Sequence, residues 1–213
     1  MVETTNNHGY ILTMQQDNPQ FTRRRFLTTI TSTAALAAVS LSPTPVLADR
    51  GAEQFVKKVA GQAIIAARSG SASAFRSLVR RNSAISSVAS FALGKYRRKL
   101  PASKRVEYHR LVREFVIKLF IENSKSFAGQ SYVVKSSSAR SNKDIIVKGR
   151  LLFAGGRDAT MQWRVIRSGS RYRIFDVRVK GVWLALQMRQ EFVSVLSKKS
   201  GGDFDGLMRY LRS

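Results

Sequence analysis

Residues 159–179 read ATMQWRVIRSGSRYRIFDVRV, two alternating runs joined by Ser168-Gly169-Ser170. In the first run Met161, Trp163 and Val165 fall on one side, and Gln162 and Arg164 on the other. In the second, Phe175, Val177 and Val179 oppose Arg178 and Lys180. A period of two across a short Ser/Gly link is what an antiparallel hairpin with one covered face needs. Two further β-branched runs, 131–138 and 144–153, precede it across a polar connection at 135–143 and the turn Gly155-Gly156-Arg157-Asp158. The four segments predict an antiparallel meander.

Before Gly129 the period is helical. Tyr108, Leu111, Val112, Phe115, Val116, Leu119 and Phe120 recur at three- and four-residue steps, while Arg110, Arg113, Glu114, Lys118 and Glu122 lie off the stripe. This predicts a long amphipathic helix over 104–127. Helices over 52–68, 72–80 and 83–95 are expected upstream, broken at Gly70-Ser71 and Leu100-Pro101. Downstream, 183–198 and 204–212 read as helices, the last capped by Asp203. Helices, a meander, then helices predict an α+β fold with the helices on one face of a four-stranded or slightly larger antiparallel sheet. There is no internal repeat.

The chain has 213 residues, 37 Lys+Arg against 13 Asp+Glu, a formal net charge of +24, and no cysteine. That excludes a disulfide framework, a thiolate zinc site and a cysteine nucleophile. With 44 % hydrophobic residues it supports one ordinary core. The basic excess implies an anionic partner: nucleic acid, a lipid surface or an acidic protein.

The N-terminus narrows that choice. Thr22-Arg23-Arg24-Arg25-Phe26-Leu27 opens an uncharged stretch that runs to Ala48 and ends Pro43-Thr44-Pro45-Val46-Leu47-Ala48. A basic lead, an apolar middle and a small-residue exit describe an export signal over 1–48, cleaved after Ala48. The twin arginine resembles a Tat-type signal, whether translation starts at Met1 or Met14. An uncut anchor is the alternative, made poorer by two prolines and many hydroxyls. Loss of residues 1–48 removes three arginines and two acids, leaving a domain over 49–213 with net charge +23. An exported domain does not meet chromosomal DNA, so no nucleic-acid partner is expected and the periplasm is the expected location.

The run Phe175-Asp176-Val177-Arg178-Val179-Lys180-Gly181-Val182-Trp183-Leu184, then Arg189-Gln190-Glu191-Phe192, Gly202 and Leu207-Met208-Arg209-Tyr210-Leu211, is similar to the MlaC or toluene-tolerance (Ttg2-type) family. Upstream, Ala92-Leu93-Gly94-Lys95-Tyr96, Tyr108 and Phe115 resemble the same family, and the likeness spans about 52–212. Trp183 stands where the family often has Ser, and Tyr96 where it often has Trp. The resemblance implies a monomeric periplasmic carrier of a phospholipid or a related hopanoid-type lipid, with no catalysis and no cofactor. It implies an inner-membrane ABC-type lipid transporter complex and an outer-membrane lipoprotein complex as partners, in the upkeep of outer-membrane lipid asymmetry. Carrying a lipid through water requires shelter, because two chains of about 15 methylenes cost on the order of 24 kcal/mol to expose.

Under that resemblance, acyl chains would lie between the sheet and the long helix. The lining candidates are Val147, Leu151, Met161, Trp163, Val165, Phe175 and Val177 from strands, with Phe115, Leu119, Val182 and Leu186 from helices. An apolar stripe marks core first, and holds a ligand only where the core is incompletely filled. Lys95, Arg97, Arg98, Lys99, Lys104 and Arg105 form a basic run that reads equally as a solvated face or as a docking patch for an anionic membrane surface or acidic partner. Asp176 reads as a buried carboxylate paired with a neighbouring Arg. Its rival role is the base of a small cone-fold (NTF2-like) enzyme. A basic polyanion-binding protein is the other alternative. His109 stands alone, with no metal partner or triad in evidence, and Gly155-Gly156 and Gly201-Gly202 are turns rather than phosphate loops.

Overall fold

The computed structural model describes residues 48–129, 131–156, 158–199 and 202–213. The export signal expected at 1–48 therefore lies outside the described residues except for Ala48. The helices are α1 (Arg50–Arg68), α2 (Ala72–Asn82), α3 (Ile85–Ala92), α4 (Arg105–Glu122), α5 (Ser124–Phe127), α6 (Leu184–Ser194) and α7 (Phe204–Arg212). Two 3₁₀ turns, Gly94–Lys99 and Ala102–Lys104, join α3 to α4, and a π-helical turn, Val195–Lys199, follows α6.

The strands are β1 (Ser131–Ser141), β2 (Asp144–Leu152), β3 (Ala159–Ser168), β4 (Arg171–Val179) and the two-residue β5 (Val182–Trp183). They pair in chain order, every neighbour antiparallel. The fold is α+β with a five-stranded open sheet. The stretch expected as a polar connection is mostly strand: β1 continues to Ser141 by two irregularities of register, at Val134/Ser136 and Ala139/Ser141. Small hydroxyl side chains suit a solvent-facing edge, so polarity there did not prevent pairing.

Pairing in register puts Ile145, Val147 and Leu151 of β2 beside Met161, Trp163 and Val165 of β3, and those beside Ile174, Val177 and Val179 of β4. This apolar face carries the first core. Val56, Val59, Ala60 and Ile64 of α1, with Phe75, Leu78 and Val79 of α2, are buried in the same cluster. Burying each large aliphatic or aromatic side chain contributes about 1.5–3 kcal/mol, so the layer is the main stabilising element of this half.

A second core is built of helices alone. Val88, Ala89 and Ala92 of α3, Tyr108, Leu111 and Val112 of α4, Met188 and Phe192 of α6, and Leu207 and Leu211 of α7 are buried together. The expectation of helices on one sheet face is thus incomplete. Asp176, on the face opposite Val177, accepts the Ala185 N–H of α6 at 2.9 Å, so α6 starts against the other face of β4. The single helix expected over 104–127 divides at Asn123, whose side chain donates to Leu119 O at 2.8 Å. Asn closes helices in this way because its amide competes for the last carbonyls.

The start of α1 is fastened to three strands by one residue. Asp49 caps the helix by accepting from Ala52 N at 2.9 Å, and the same oxygen accepts from Tyr172 Oη of β4 at 2.8 Å. Its second oxygen faces Arg167 of β3 at 3.6 Å, and its N–H donates to Ser137 Oγ of β1 at 2.8 Å. Asp49→Ala should lower the unfolding free energy by about 2 kcal/mol, since a cap and a side-chain hydrogen bond go together. Asp49→Asn, which keeps one acceptor oxygen for both Ala52 N and Tyr172 Oη, should lose less than half of that in the same urea titration.

Candidate functional site

Three regions hold the residues singled out by sequence. The first is the layer between α1, α2 and the sheet. The structure brings Val147, Leu151, Met161, Trp163 and Val165 together there as buried residues, with Val177 packed at the margin. It does not bring the other candidates to them. Phe115 sits in the helical core, edge-on to Phe192 at 5.5 Å between ring centres, and Phe175 packs edge-on to Phe91 at 5.7 Å on the far side of β4. Leu119 and Val182 are half-buried, and Leu186 is 45 % exposed. The α4 stripe divides: Tyr108 to Val116 serves the helical core, whereas Phe120 reaches the sheet layer together with Ile117 and Ile121, which lie off the stripe.

Two polar side chains are sunk into that apolar layer. Tyr132 of β1 and Trp163 of β3 are 6 % and 7 % exposed, with rings edge to face at 5.9 Å. Gly149, between them on β2, makes this possible: a Cβ there would fall 2.4 Å from Tyr132 Oη. Among the described residues, neither Tyr132 Oη nor Trp163 Nε1 has a well-formed hydrogen-bond partner. Burial pushes the Tyr132 phenol far up, against a smaller opposing pull from the nearby indole N–H. Tyr132 was not singled out by sequence, and its one signal was an aromatic near the start of the 131–138 run.

Tyr108, by contrast, is fully buried in the helical core and donates to Ala89 O at 2.9 Å. Tyr108→Phe should therefore cost about 1 kcal/mol in chemical denaturation, and Tyr132→Phe close to nothing, because only the first loses a hydrogen bond.

The second region surrounds Asp176, which is 8 % exposed. One carboxylate oxygen accepts from Val177 N at 2.8 Å and Ala185 N at 2.9 Å. The expected Arg pairing is corrected here. The fork of Arg164, its neighbour across the strands, is given to Asp144, with Nε to Oδ1 at 3.0 Å and Nη2 to Oδ2 at 2.9 Å. Backbone donors at the α6 N-terminus hold Asp176 instead, an arrangement the helix dipole favours. Burial raises the Asp176 pKa, opposed by those N–H bonds and by the charge of Arg164.

The sign for stability follows. A carboxyl with a raised folded pKa binds its proton more tightly when folded. Its contribution is complete below the unfolded value and is lost as pH rises through the folded one. Asp176→Ala, which strands the α6 donors, should lower unfolding free energy by about 1–3 kcal/mol. The deficit should be smaller for Asp176→Asn, which keeps an acceptor, and the Asn-minus-wild-type difference should move in favour of Asn as pH rises from 4 to 7.

The third region is a surface cleft of about 340 Å³ lined by Phe91, Gly94, Lys95, Arg97, Arg98 and Arg189 among others. Three of the six residues of the expected basic patch reach it. Lys99 lies over the Tyr96 ring at 5.9 Å, Lys104 is paired with Asp205, and Arg105 opens α4. Sequence reading missed Arg189 and Phe91. Arg189 belonged to the quoted Arg-x-x-Phe motif, but nothing local tied it to a basic run ninety residues earlier.

His109 is depressed by partial burial and by Arg105 and Arg113. Among the described residues no group of His, Asp and Glu could hold a metal ion, and no helix is long and apolar enough to cross a membrane.

The family model for MlaC protein matches residues 52–213. The chain belongs to the MlaC family. The MlaC fold extends to solved structures. A phospholipid-binding protein from Ralstonia solanacearum, determined in complex with a phospholipid, superposes with a TM-score of 0.64 at 18 % identity. The match covers 78 % of this chain and 94 % of that one. No curated protein matches this sequence. The MlaC match begins within α1 and includes all three regions above.

Proposed function

We propose that this protein is a periplasmic phospholipid carrier, exported through the Tat-type signal of residues 1–48 and working without catalysis. It would receive lipid from an inner-membrane ABC-type transporter complex and exchange it with an outer-membrane lipoprotein complex. The observation that carries this reading is membership of the MlaC family over residues 52–213. The Ralstonia neighbour, similar in fold, is described as binding phospholipid, which supports the same cargo class.

The chemistry of the sheet layer agrees. Acyl chains need an apolar lining, and α1 and α2 offer one face while Val147, Met161 and Val165 offer the other. A diacyl lipid also carries ester oxygens into that layer. These accept hydrogen bonds, and Tyr132 Oη and Trp163 Nε1 are donors with no well-formed partner among the described residues. Asp176 fits an enzyme's base poorly, since its oxygen is committed to two backbone N–H groups on the opposite face of β4.

Purification from cells followed by native mass spectrometry should recover one lipid per chain. Mass and fragmentation distinguish a phospholipid from a hopanoid-type lipid. Protein that is repeatedly lipid-free, and takes up no lipid from vesicles, overturns the carrier reading.

A further inference from the structure

The cleft on the helical side differs in chemistry from the sheet layer. Lys95, Arg97, Arg98 and Arg189 line it and no carboxylate does. Among the described residues, none of these four takes part in an ion pair, although Arg76, Lys104, Arg110, Arg150, Arg164, Arg167, Arg209 and Arg212 do. Like charges held together without counter-charges repel, and an anion removes the repulsion.

The concavity is built rather than incidental. Gly94 has φ +53°, and a Cβ there would fall 2.9 Å from Val193 and 3.1 Å from Arg189 Nε. Only glycine lets the 3₁₀ turn close on α6 at this point. Arg189 then stacks on Phe91, its guanidinium carbon 5.1 Å from the ring centre. A guanidinium held over an aromatic face spends none of its N–H donors on that contact and keeps them for a ligand. A fork of donors beside two more arginines suits the tetrahedral oxygens of a phosphate.

The surroundings choose among anions. Leu186 lies one turn before Arg189 on the same helix face and is 45 % exposed, and Leu184 is 39 % exposed. Apolar side chains flanking a cationic concavity suit the headgroup level of a bilayer, where long side chains can serve both phases. A cleft of this size admits one phosphodiester, whereas a nucleic acid would require a cationic track lined with aromatic platforms.

We propose that this cleft binds the phosphodiester of an anionic phospholipid at a bilayer surface, with Leu186 entering the interface. The helical side, α3 with α6, then faces the membrane. The use of this contact, to bring a carrier to its source or destination, rests on the carrier reading above, while the binding itself is tested separately.

The protein as purified from cells is sedimented with phosphatidylcholine vesicles, with and without phosphatidylglycerol. Arg97→Gln/Arg98→Gln/Arg189→Gln is compared with Lys57→Gln/Lys58→Gln/Arg140→Gln, which removes equal charge from the α1 and β1 side. The cleft variant should lose affinity for phosphatidylglycerol vesicles on the order of 100-fold, from three surface charges. The control should lose less than about fivefold at about 0.1 M salt, where the screening length is ~10 Å. All six residues are exposed, and both variants should match the parent in circular dichroism and melting temperature.

Equal losses in the two variants overturn the site in favour of net charge alone. So does inorganic phosphate binding as tightly as the vesicles, which would mark a soluble-ion site. Lipid content of the same preparations reads the cargo independently. No preference for phosphatidylglycerol with cargo present overturns the docking site alone. An intact preference in a protein that never holds lipid overturns the carrier reading and leaves the site.

Discussion

The sheet half of the fold, on which the helical core is then mounted through β4, follows from one apolar sheet face that must be covered. Ile145, Val147 and Val165 are essentially inaccessible at its centre, and no neighbouring strand can shield them because the sheet is open. Cover comes from α1, which meets the sheet with Ala52, Val56, Val59 and Ala60. Two alanines in that row shorten the approach of helix to sheet, and the larger side chains fill the space between. Helix and sheet are distant in sequence, so closure entropy opposes their meeting. Asp49 answers that at the helix start, where one carboxylate touches α1, β3 and β4 and the adjoining N–H reaches β1.

Local pattern carried much of this architecture. Alternation of apolar and polar residues in 159–166 fixes which side of β3 is covered whatever covers it, and the three- and four-residue steps in α4 fix its buried side equally well. What neither pattern contains is the identity of the neighbour. Tyr108 and Phe120 belong to one stripe, yet they pack in different cores, because α4 runs from the helical cluster to the edge of the sheet layer. For the same reason Phe175, which alternates correctly with Asp176, is displaced to the other side. The register of β3 and β4 slips at Arg164/Val165, and a slip of one residue exchanges faces. Strand β5 has two residues, too few for any period to show.

Asp176 and Arg189 show the same limit for site residues. A buried carboxylate in a strand announces that partners must exist, but donors from its own backbone and from α6 satisfy it as well as an arginine would. The basic run at 95–105 announces repulsion, yet only a tertiary contact reveals that Arg189 joins three of its members while Lys104 leaves them for Asp205. Composition and spacing name the need, and the packing decides who meets it.

The two cores also separate two incompatible environments. A lipid's chains require a layer from which ions are excluded, since an uncompensated charge in apolar surroundings is strongly unfavourable. A reversible contact with an anionic surface requires charges that stay hydrated until they meet it, and whose attraction salt can weaken. Placing both on one face would force a compromise on each. Here the apolar layer lies between α1, α2 and the sheet, and the cleft cations lie on the helical side, with β4 and α6 between. Part of the net charge of +24 thereby has a specific place: four cations at one cleft that make no ion pair among the described residues, set apart from the apolar layer under α1 and α2.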